Sequence, residues 1–360
     1  VNTSGAVAPR RTSLAANLGV SAGEKLFSTP AERRFVAAVE DGLELVETGL
    51  KDEVVFTDPI ADATARYLLD AGGKRVRPTL ALITAQLGGG NSPAVIAAAQ
   101  AIEITHLASL YHDDVMDEAV MRRGVPSAQT VWGNSVAILT GDLLFARASR
   151  LVAGLGEEII QLQARTFERL CLGQLHETLG PDDGEDAIEH YLQVLADKTG
   201  SLIAAAAQSG IVLSGAPSEF REPLTAFGER IGVAFQLVDD VIDLAPPVGE
   251  TGKVPGTDLR SGVSTLPLLY LRSEAGSDAA AASLLARIER DMTDATHGGV
   301  DDDELTAAIA ELRQHQVTRR TVAEAHRWAR EAVEAIDPLP GGPAKKALTR
   351  FAESIVERSS

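Results

Sequence analysis

The stretch AIEITHLASLYHDDVMDE, residues 101–118, decides how the chain folds. An apolar run at helical spacing leads into acids at Asp113, Asp114 and Asp117. A second stretch, AFGERIGVAFQLVDDVID (residues 226–243), repeats the arrangement and ends in Asp239, Asp240 and Asp243. Residues four apart on a helix share a face, so Asp113 lies over Asp117 and Asp239 nearly over Asp243, with the middle acid leaning to one side. Three carboxylates packed this way are costly, because like charges about 4 Å apart repel by roughly 4 kcal/mol at an effective dielectric of about 20. A divalent cation removes that cost. A few hard oxygen ligands that leave room for water and phosphate are the usual means of holding Mg²⁺ against a diphosphate.

Two other acidic clusters serve as controls. Asp182, Asp183 and Asp186 match the same spacing, but Pro181 and Gly184 mark a turn there and no apolar helix precedes it. These acids are expected in a solvated loop that starts the next helix. Asp301, Asp302 and Asp303 follow Gly298 and Gly299 and read as the acidic first turn of a helix, where the dipole favours them. The bare pattern is therefore weak, and the matched helical context of the first two clusters gives it meaning.

Apolar residues form 45% of the 360-residue chain and aromatics only 4%, a composition rich in Ala, Leu and Val that favours helix over strand. A net charge of −18 argues against nucleic acid as a partner. It leaves phosphorylated small molecules open, since metals and a few placed cations supply local positive charge. The single cysteine, Cys171, excludes an internal disulfide framework, suits the cytoplasm and, set in RLCLGQ, reads as a packed core thiol. No run of 18 apolar residues occurs, so no transmembrane helix is expected, and residues 1–30 read as a flexible leader without a secretory signal.

From Pro30 onward the pattern is helical. Helices are expected at 31–50, 58–71, from Pro78, from Pro93 to the first triplet, and at 135–154, 166–179, 186–213 and 218–245. Pro246 and Pro247 end the last of these, and VGETGKVPGTDLRSGVST (248–265) suits a mobile cover before helix restarts at Leu266. No alternating strand pattern is found, so the expected fold is all-α, with residues 31–360 as one helical domain. Between the second and third helices lies Gly72-Gly73-Lys74-Arg75-Val76-Arg77-Pro78, where glycines let backbone approach a ligand and three cations follow. The bland reading is a glycine stop followed by surface charge. His106 lies two turns before Asp113 on the same face, and Arg122 and Arg123 follow the first triplet. Arginine offers bidentate phosphate recognition, and the alternative is that the pair merely neutralises the aspartates.

Both triplets, the GGKRVRP loop, MRRG (121–124) and KTG (198–200), taken in this order, make the chain resemble the trans-isoprenyl diphosphate synthases, or polyprenyl synthetases. The resemblance spans residues 35 to 355, nearly the whole chain. It implies a single-domain isoprenoid synthase bundle of about ten or more helices around a central cavity. The family is usually homodimeric, with its two aspartate-rich helices facing each other. By position, Asp113, Asp114, Asp117, Asp239, Asp240 and Asp243 would bind about three Mg²⁺ ions on the diphosphate of an allylic substrate. Arg122, Lys198, Thr199 and Gln236 match contacts to that diphosphate, and Lys253 and Asp258 match the cover loop. Gly73, Lys74, Arg77, His106 and Arg123 match the metal-free pocket for isopentenyl diphosphate.

One position departs from the family pattern. Where the family commonly reads G-K-x-T-L-P, this chain has Val263 in place of the lysine, which removes one cation from the allylic side unless Lys253 or Arg260 compensates. The resemblance also implies that the growing chain runs down the helix behind the first triplet, so that Ala108 and Ser109, one turn before Asp113, would form its floor; both are small, which points to a medium- or long-chain product. The competing readings are a short-chain farnesyl or geranylgeranyl diphosphate synthase, a terpene cyclase, a regulatory subunit of a heteromeric synthase and a calcium-binding structural protein. A cyclase has no need of the GGKRVRP pocket, and the triplets lack the alternating acids of an EF-hand loop. Such an enzyme is expected in the cytoplasm, touching a membrane surface transiently to release product.

Overall fold

A computed structural model describes residues 14–18, 29–245, 255–295 and 302–359. The described residues are almost entirely helical. Helices α1 (Leu14–Asn17), α2 (Pro30–Glu53), α3 (Pro59–Asp70), α4 (Val76–Ala85) and α5 (Pro93–Met116) come first. A two-residue β-pair follows, joining Met121–Arg122 to Val125–Pro126. Then come α6 (Ala128–Trp132), α7 (Asn134–Val152), α8 (Glu157–Leu179), α9 (Ala187–Leu195), α10 (Ser201–Ser214) and α11 (Arg221–Asp243). The chain continues with α12 (Thr257–Arg260), α13 (Leu266–Ala275), α14 (Ala279–Ala295), α15 (Asp302–Gln314), α16 (Gln316–Ala335) and α17 (Pro343–Val356). The chain groups into two compact units. The first comprises Val1–Phe167, Leu202–Thr225 and Ile336–Phe351; the second comprises Glu168–Ser201, Ala226–Ala335 and Ala352–Ser360.

Proline and capping residues set the helix starts much as expected. Thr29 closes a capping box with Glu32 before α2, Asp58 caps α3, and Ser92 caps α5 with Pro93 at its first position. Asp186 accepts from the backbone of Ile188 and Glu189 and so begins α9, the role expected for the control cluster. Asp302 and Asp303 lie in the first turn of α15, whereas Asp301 falls outside the described residues, as do Pro246 and Pro247. Two boundaries differ. Helix α4 starts at Val76, because Arg75 takes a left-handed conformation (φ 53°) and sets the chain turning before Pro78. Helix α8 starts at Glu157, after Gly156 (φ 95°), so it is nine residues longer than its apolar core suggested.

In the first unit the core sits around α5, which packs along α7, α4 and α2 and is apolar on every side. By length and composition α5 could cross a membrane although it contains no unbroken apolar run; 78% of its most apolar window is buried inside the fold, as in the core helix of a bundle. Tyr111 is fully buried there and its hydroxyl donates to the carbonyl of Thr64, tying α5 to α3. Part of the expected leader is packed: Leu14 and Leu18 are buried, and Asn17 Nδ2 donates to Thr79 Oγ1 at 2.5 Å. In the second unit α13 packs against α9, α14 and α16, and α15 against α14 and α16. Cys171 corrects the sequence expectation: its thiol is exposed on α8, because the apolar side chains around it lie partly on the outer face of that helix.

Candidate active site

The first unit carries the first triplet at the end of α5. Asp113 and Asp117 share the last turn, where the Asp117 N–H donates to the Asp113 carbonyl at 2.8 Å. Asp114 points inward and is fully buried; its Oδ1 accepts from Arg122 Nε at 2.6 Å, while Oδ2 is buried without a hydrogen-bond partner. Burial pushes the Asp114 carboxyl above the usual carboxylate range, and Arg122 opposes the shift only in part. A bare carboxylate oxygen in such a place is expensive, and a hard divalent cation is the natural counter-charge. The donor chemistry therefore fits a metal at Asp114. The three side chains are not drawn into one cluster: among the described residues no group of three His, Cys, Asp or Glu side chains could hold a metal ion.

Beside it cations gather from the loop before α4, from α4 itself and from the turn after the first triplet. Arg75 is 4% exposed and bonds Glu47 Oε1 at 2.5 Å on α2 and Glu103 Oε1 at 3.3 Å on α5. Burial works against its charge, but Glu103 and Glu47 outweigh that and hold the guanidinium firmly protonated. Arg123, in a left-handed conformation (φ 53°), donates to the carbonyls of Leu68 (2.7 Å) and Gly72. The Gly72–Lys74 loop is thus pinned by two arginines, and Gly72 itself needs φ 97° to make the turn. Arg77 Nε is buried without a partner, and burial pulls its pKa down to about 10 despite Glu103. Half-buried His106 is driven well below its ordinary value by burial and then by Arg77, Arg123, Arg122 and Arg75, so it is neutral at pH 7. Lys74 is exposed on the loop. Positive charge here exceeds what Glu103 balances.

Ala108 is fully buried and Ser109 7% exposed, and the Ser109 hydroxyl donates to the His106 carbonyl at 2.9 Å. A Cβ built on Gly141 of α7 would stand 3.2 Å from the Ala108 carbonyl, so the two helices meet almost backbone to backbone at this level. Farther back along α5 a small apolar cavity opens between Ala98, Ile102, Val152, Leu162 and Ala205.

The second unit carries the second triplet at the end of α11. Asp240 is 2% exposed; Tyr191 Oη donates to its Oδ2 at 2.7 Å, and the Leu266 N–H also donates to it. Burial nevertheless pushes the Asp240 carboxyl up to about 8, with Asp258 and Asp239 adding repulsion. Asp243 accepts from the Asp258 N–H at 3.1 Å, and its carbonyl accepts from Gly256 at 2.8 Å, which fastens the following segment to the triplet. Asp239 Oδ1 lies 3.2 Å from Arg358 Nη2. The KTG motif sits in a π-helical turn, Ala196–Gly200, between α9 and α10. Lys198 reaches Glu177 at 2.5 Å and the Thr199 hydroxyl donates to Gln236 Oε1 at 3.4 Å. Arg260 is turned to the Pro255 carbonyl (3.0 Å) and Thr306 Oγ1 (2.8 Å), and Lys253 lies outside the described residues.

The structure adds residues that spacing did not single out: Glu47, Arg75 and Glu103 around the loop, Tyr191 on Asp240, and Arg358 on Asp239. Their partners are 28 to 119 residues away in sequence, and no local pattern marks them. Arg122 shows the neutralising role weighed from the sequence, since it is bound to Asp114.

Comparison with known proteins agrees with this chemistry. The sequence model of the family described as polyprenyl synthetase matches residues 58–297. A nonaprenyl diphosphate synthase of Mycobacterium tuberculosis is 42% identical over 97% of this chain and 99% of its own length. A geranylgeranyl pyrophosphate synthase of Corynebacterium glutamicum, solved with calcium and isoprenyl diphosphate, has a TM-score of 0.77 and 39% identity, covering 92% of this chain and 99% of that one. A decaprenyl diphosphate synthase of Rhodobacter capsulatus has a TM-score of 0.79 and 31% identity, covering 91% and 99%. The paired aspartate motifs, the cations gathered around Glu103 and these likenesses lead to one conclusion: the chain belongs to the polyprenyl synthetase family of prenyl-transferring enzymes.

Proposed function

We propose that the protein condenses isopentenyl diphosphate with an allylic diphosphate to give a medium- or long-chain trans-polyprenyl diphosphate. The observation that carries this reading is the grouping around the end of α5, where an unpartnered carboxylate oxygen of Asp114 stands near Arg77, Arg123 and neutral His106. One half suits a metal-bound diphosphate, the other a diphosphate bound by cations alone. When bound to the six triplet aspartates, Mg²⁺, about three ions in all, would neutralise the departing diphosphate and so promote C–O cleavage. Arg122, Lys198, Thr199 and Gln236 steady that leaving group. Gly73, Lys74, Arg77, His106 and Arg123 hold isopentenyl diphosphate so that its double bond attacks the allylic carbon. A new C–C bond forms, and a proton leaves to the released diphosphate. The buried apolar surface around Ala108 excludes water from the cation.

The likeness to the nonaprenyl synthase and the cavity behind Ile102 support a long product. The cavity's Ala98 lies fifteen residues before Asp113, roughly 22 Å along the helix. A second copy would cover the apolar side chains exposed on α7 and α8, among them Ile138, Leu139, Leu143 and Ile160, giving a homodimer. Work in the cytoplasm, with brief contact to a membrane surface at product release, completes the proposal. Likeness to a chain called heptaprenyl diphosphate synthase component 2 from Geobacillus stearothermophilus, 34% identical, favours a second reading in which a partner subunit is required.

The test incubates purified protein with isopentenyl diphosphate, Mg²⁺ and geranyl, farnesyl or geranylgeranyl diphosphate, and sizes the products. A ladder beyond the geranylgeranyl length is expected, and Asp113→Ala or Asp239→Ala should lower turnover by orders of magnitude without unfolding the protein. Products that stop at farnesyl or geranylgeranyl would overturn the chain length alone. No product without a partner would favour the two-subunit reading.

A further inference from the structure

We infer that Arg358 is a diphosphate-binding residue of the allylic site, replacing the cation lost at Val263. The inference rests on the function proposed above. Its starting point is a charge deficit in the second unit: Asp239, Asp240, Asp243 and Asp258 converge at the end of α11, and position 263, three residues before the Leu266 N–H that serves Asp240, carries no charge. Of the substitutes weighed from the sequence, Arg260 is engaged with Pro255 and Thr306. Arg358, in the short 3₁₀ turn Glu357–Ser359, is placed differently. Its guanidinium lies over the Phe235 ring, 5.2 Å from the centroid, and reaches Asp239 at 3.2 Å.

Phe235 and Asp239 are four residues apart on α11 and so share a face. The ring provides a platform and the carboxylate a temporary partner. Arg358 and Asp239 are each 36% exposed, so the pair is accessible and not sealed into the core. An exposed pair of this kind contributes little to stability, which frees the guanidinium to exchange partners. With metal and diphosphate bound, Asp239 would serve as a metal ligand, and the guanidinium, resting on Phe235, would turn its planar donors to the diphosphate oxygens. Bidentate donation to phosphate is what this side chain does best. The Val263 side chain is 39% exposed, so a lysine has room to stand there.

The test measures binding of inorganic pyrophosphate by calorimetry with and without Mg²⁺, taking the metal-dependent part. Arg358→Gln should weaken that part roughly tenfold, the loss of one charge-assisted contact, and raise KM for farnesyl diphosphate while leaving KM for isopentenyl diphosphate alone. Arg358→Lys should retain part of the binding, and Val263→Lys added to Arg358→Gln should restore it. An unchanged thermal midpoint would show that folding is intact. Equal or tighter pyrophosphate binding by Arg358→Gln, or no rescue by Val263→Lys, would overturn the inference while leaving the enzyme assignment standing. Absence of metal-dependent binding in the unsubstituted protein would instead overturn the proposed function and this inference with it.

Discussion

Replacing Asp240 by Asn should stabilise the metal-free protein at neutral to alkaline pH while abolishing its activity. The folded-state pKa rises from 3.8 to about 8, so the folded form holds this proton more tightly than the unfolded chain. Its contribution is therefore fully present below pH 4 and is lost as pH climbs toward 8. At about 1.4 kcal/mol per unit, the buried charge costs roughly 5 kcal/mol by pH 8, and roughly 3–4 kcal/mol of that appears between pH 5 and pH 8. An amide escapes this penalty. Its oxygen still accepts from one of the two present donors, Tyr191 or Leu266, and losing the other costs about 1 kcal/mol. The assay is urea unfolding of parent and variant in chelator at pH 5, 6, 7 and 8, compared as a difference so that other titrations cancel. The variant's advantage should grow with pH and reach a few kcal/mol at pH 8. Mg²⁺ with pyrophosphate should restore the parent and leave the variant unmoved. A difference that stays flat with pH would refute the reasoning, since desolvation of the carboxylate would then not be what the fold pays.

Further outcomes follow from the same geometry. Arg75→Met should cost roughly 1–3 kcal/mol in urea unfolding, because it removes the hydrogen-bond partner of buried Glu103 and of Glu47 while Arg77 and Arg123 still offset the Glu103 charge. Ala108→Phe should shorten the product ladder if Ala108 lines the floor proposed above, and an unchanged ladder would remove it from that role. For the homodimer proposed above, Leu139→Glu, at a side chain 60% exposed, should shift sedimentation toward monomer while preserving helical circular dichroism. Cys171, exposed on α8, should react with a maleimide in the native protein, and protection until unfolding would place it under a partner.

Much of the helical frame was legible because its punctuation is local. Pro30, Pro59 and Pro93, each behind a capping side chain, mark helix starts by chemistry that needs no tertiary context. The apolar runs before Asp113 and Asp239 likewise declare buried helices. The supporting contacts were not legible. Arg75 looked like one of three loop cations, and only the fold shows it turned inward to Glu47 and Glu103. Periodicity also failed at Cys171, where an apolar neighbourhood includes residues facing outward, as Leu172 and Leu175 do. The start of α4 ahead of Pro78 depended on a left-handed Arg75, a conformation no propensity would assign to arginine.

The π-helical turn carries a meaning for how this sequence can be edited. In Ala196–Gly200 the Ser201 N–H bonds back to the Ala196 carbonyl, five residues away, so the chain spends one more residue there than an ordinary turn requires. Consecutive residues Lys198 and Thr199 thereby engage two different helices, α8 and α11. A Cβ on Gly232 would come within 2.5 Å of Gly200 Cα, so α11 already touches this turn backbone to backbone. Removing a single residue here would turn the helix that follows, α10, by about 100°. The extra residue thus acts as a phase setting, and chimeras or deletions drawn by helical periodicity across residue 198 will lose it.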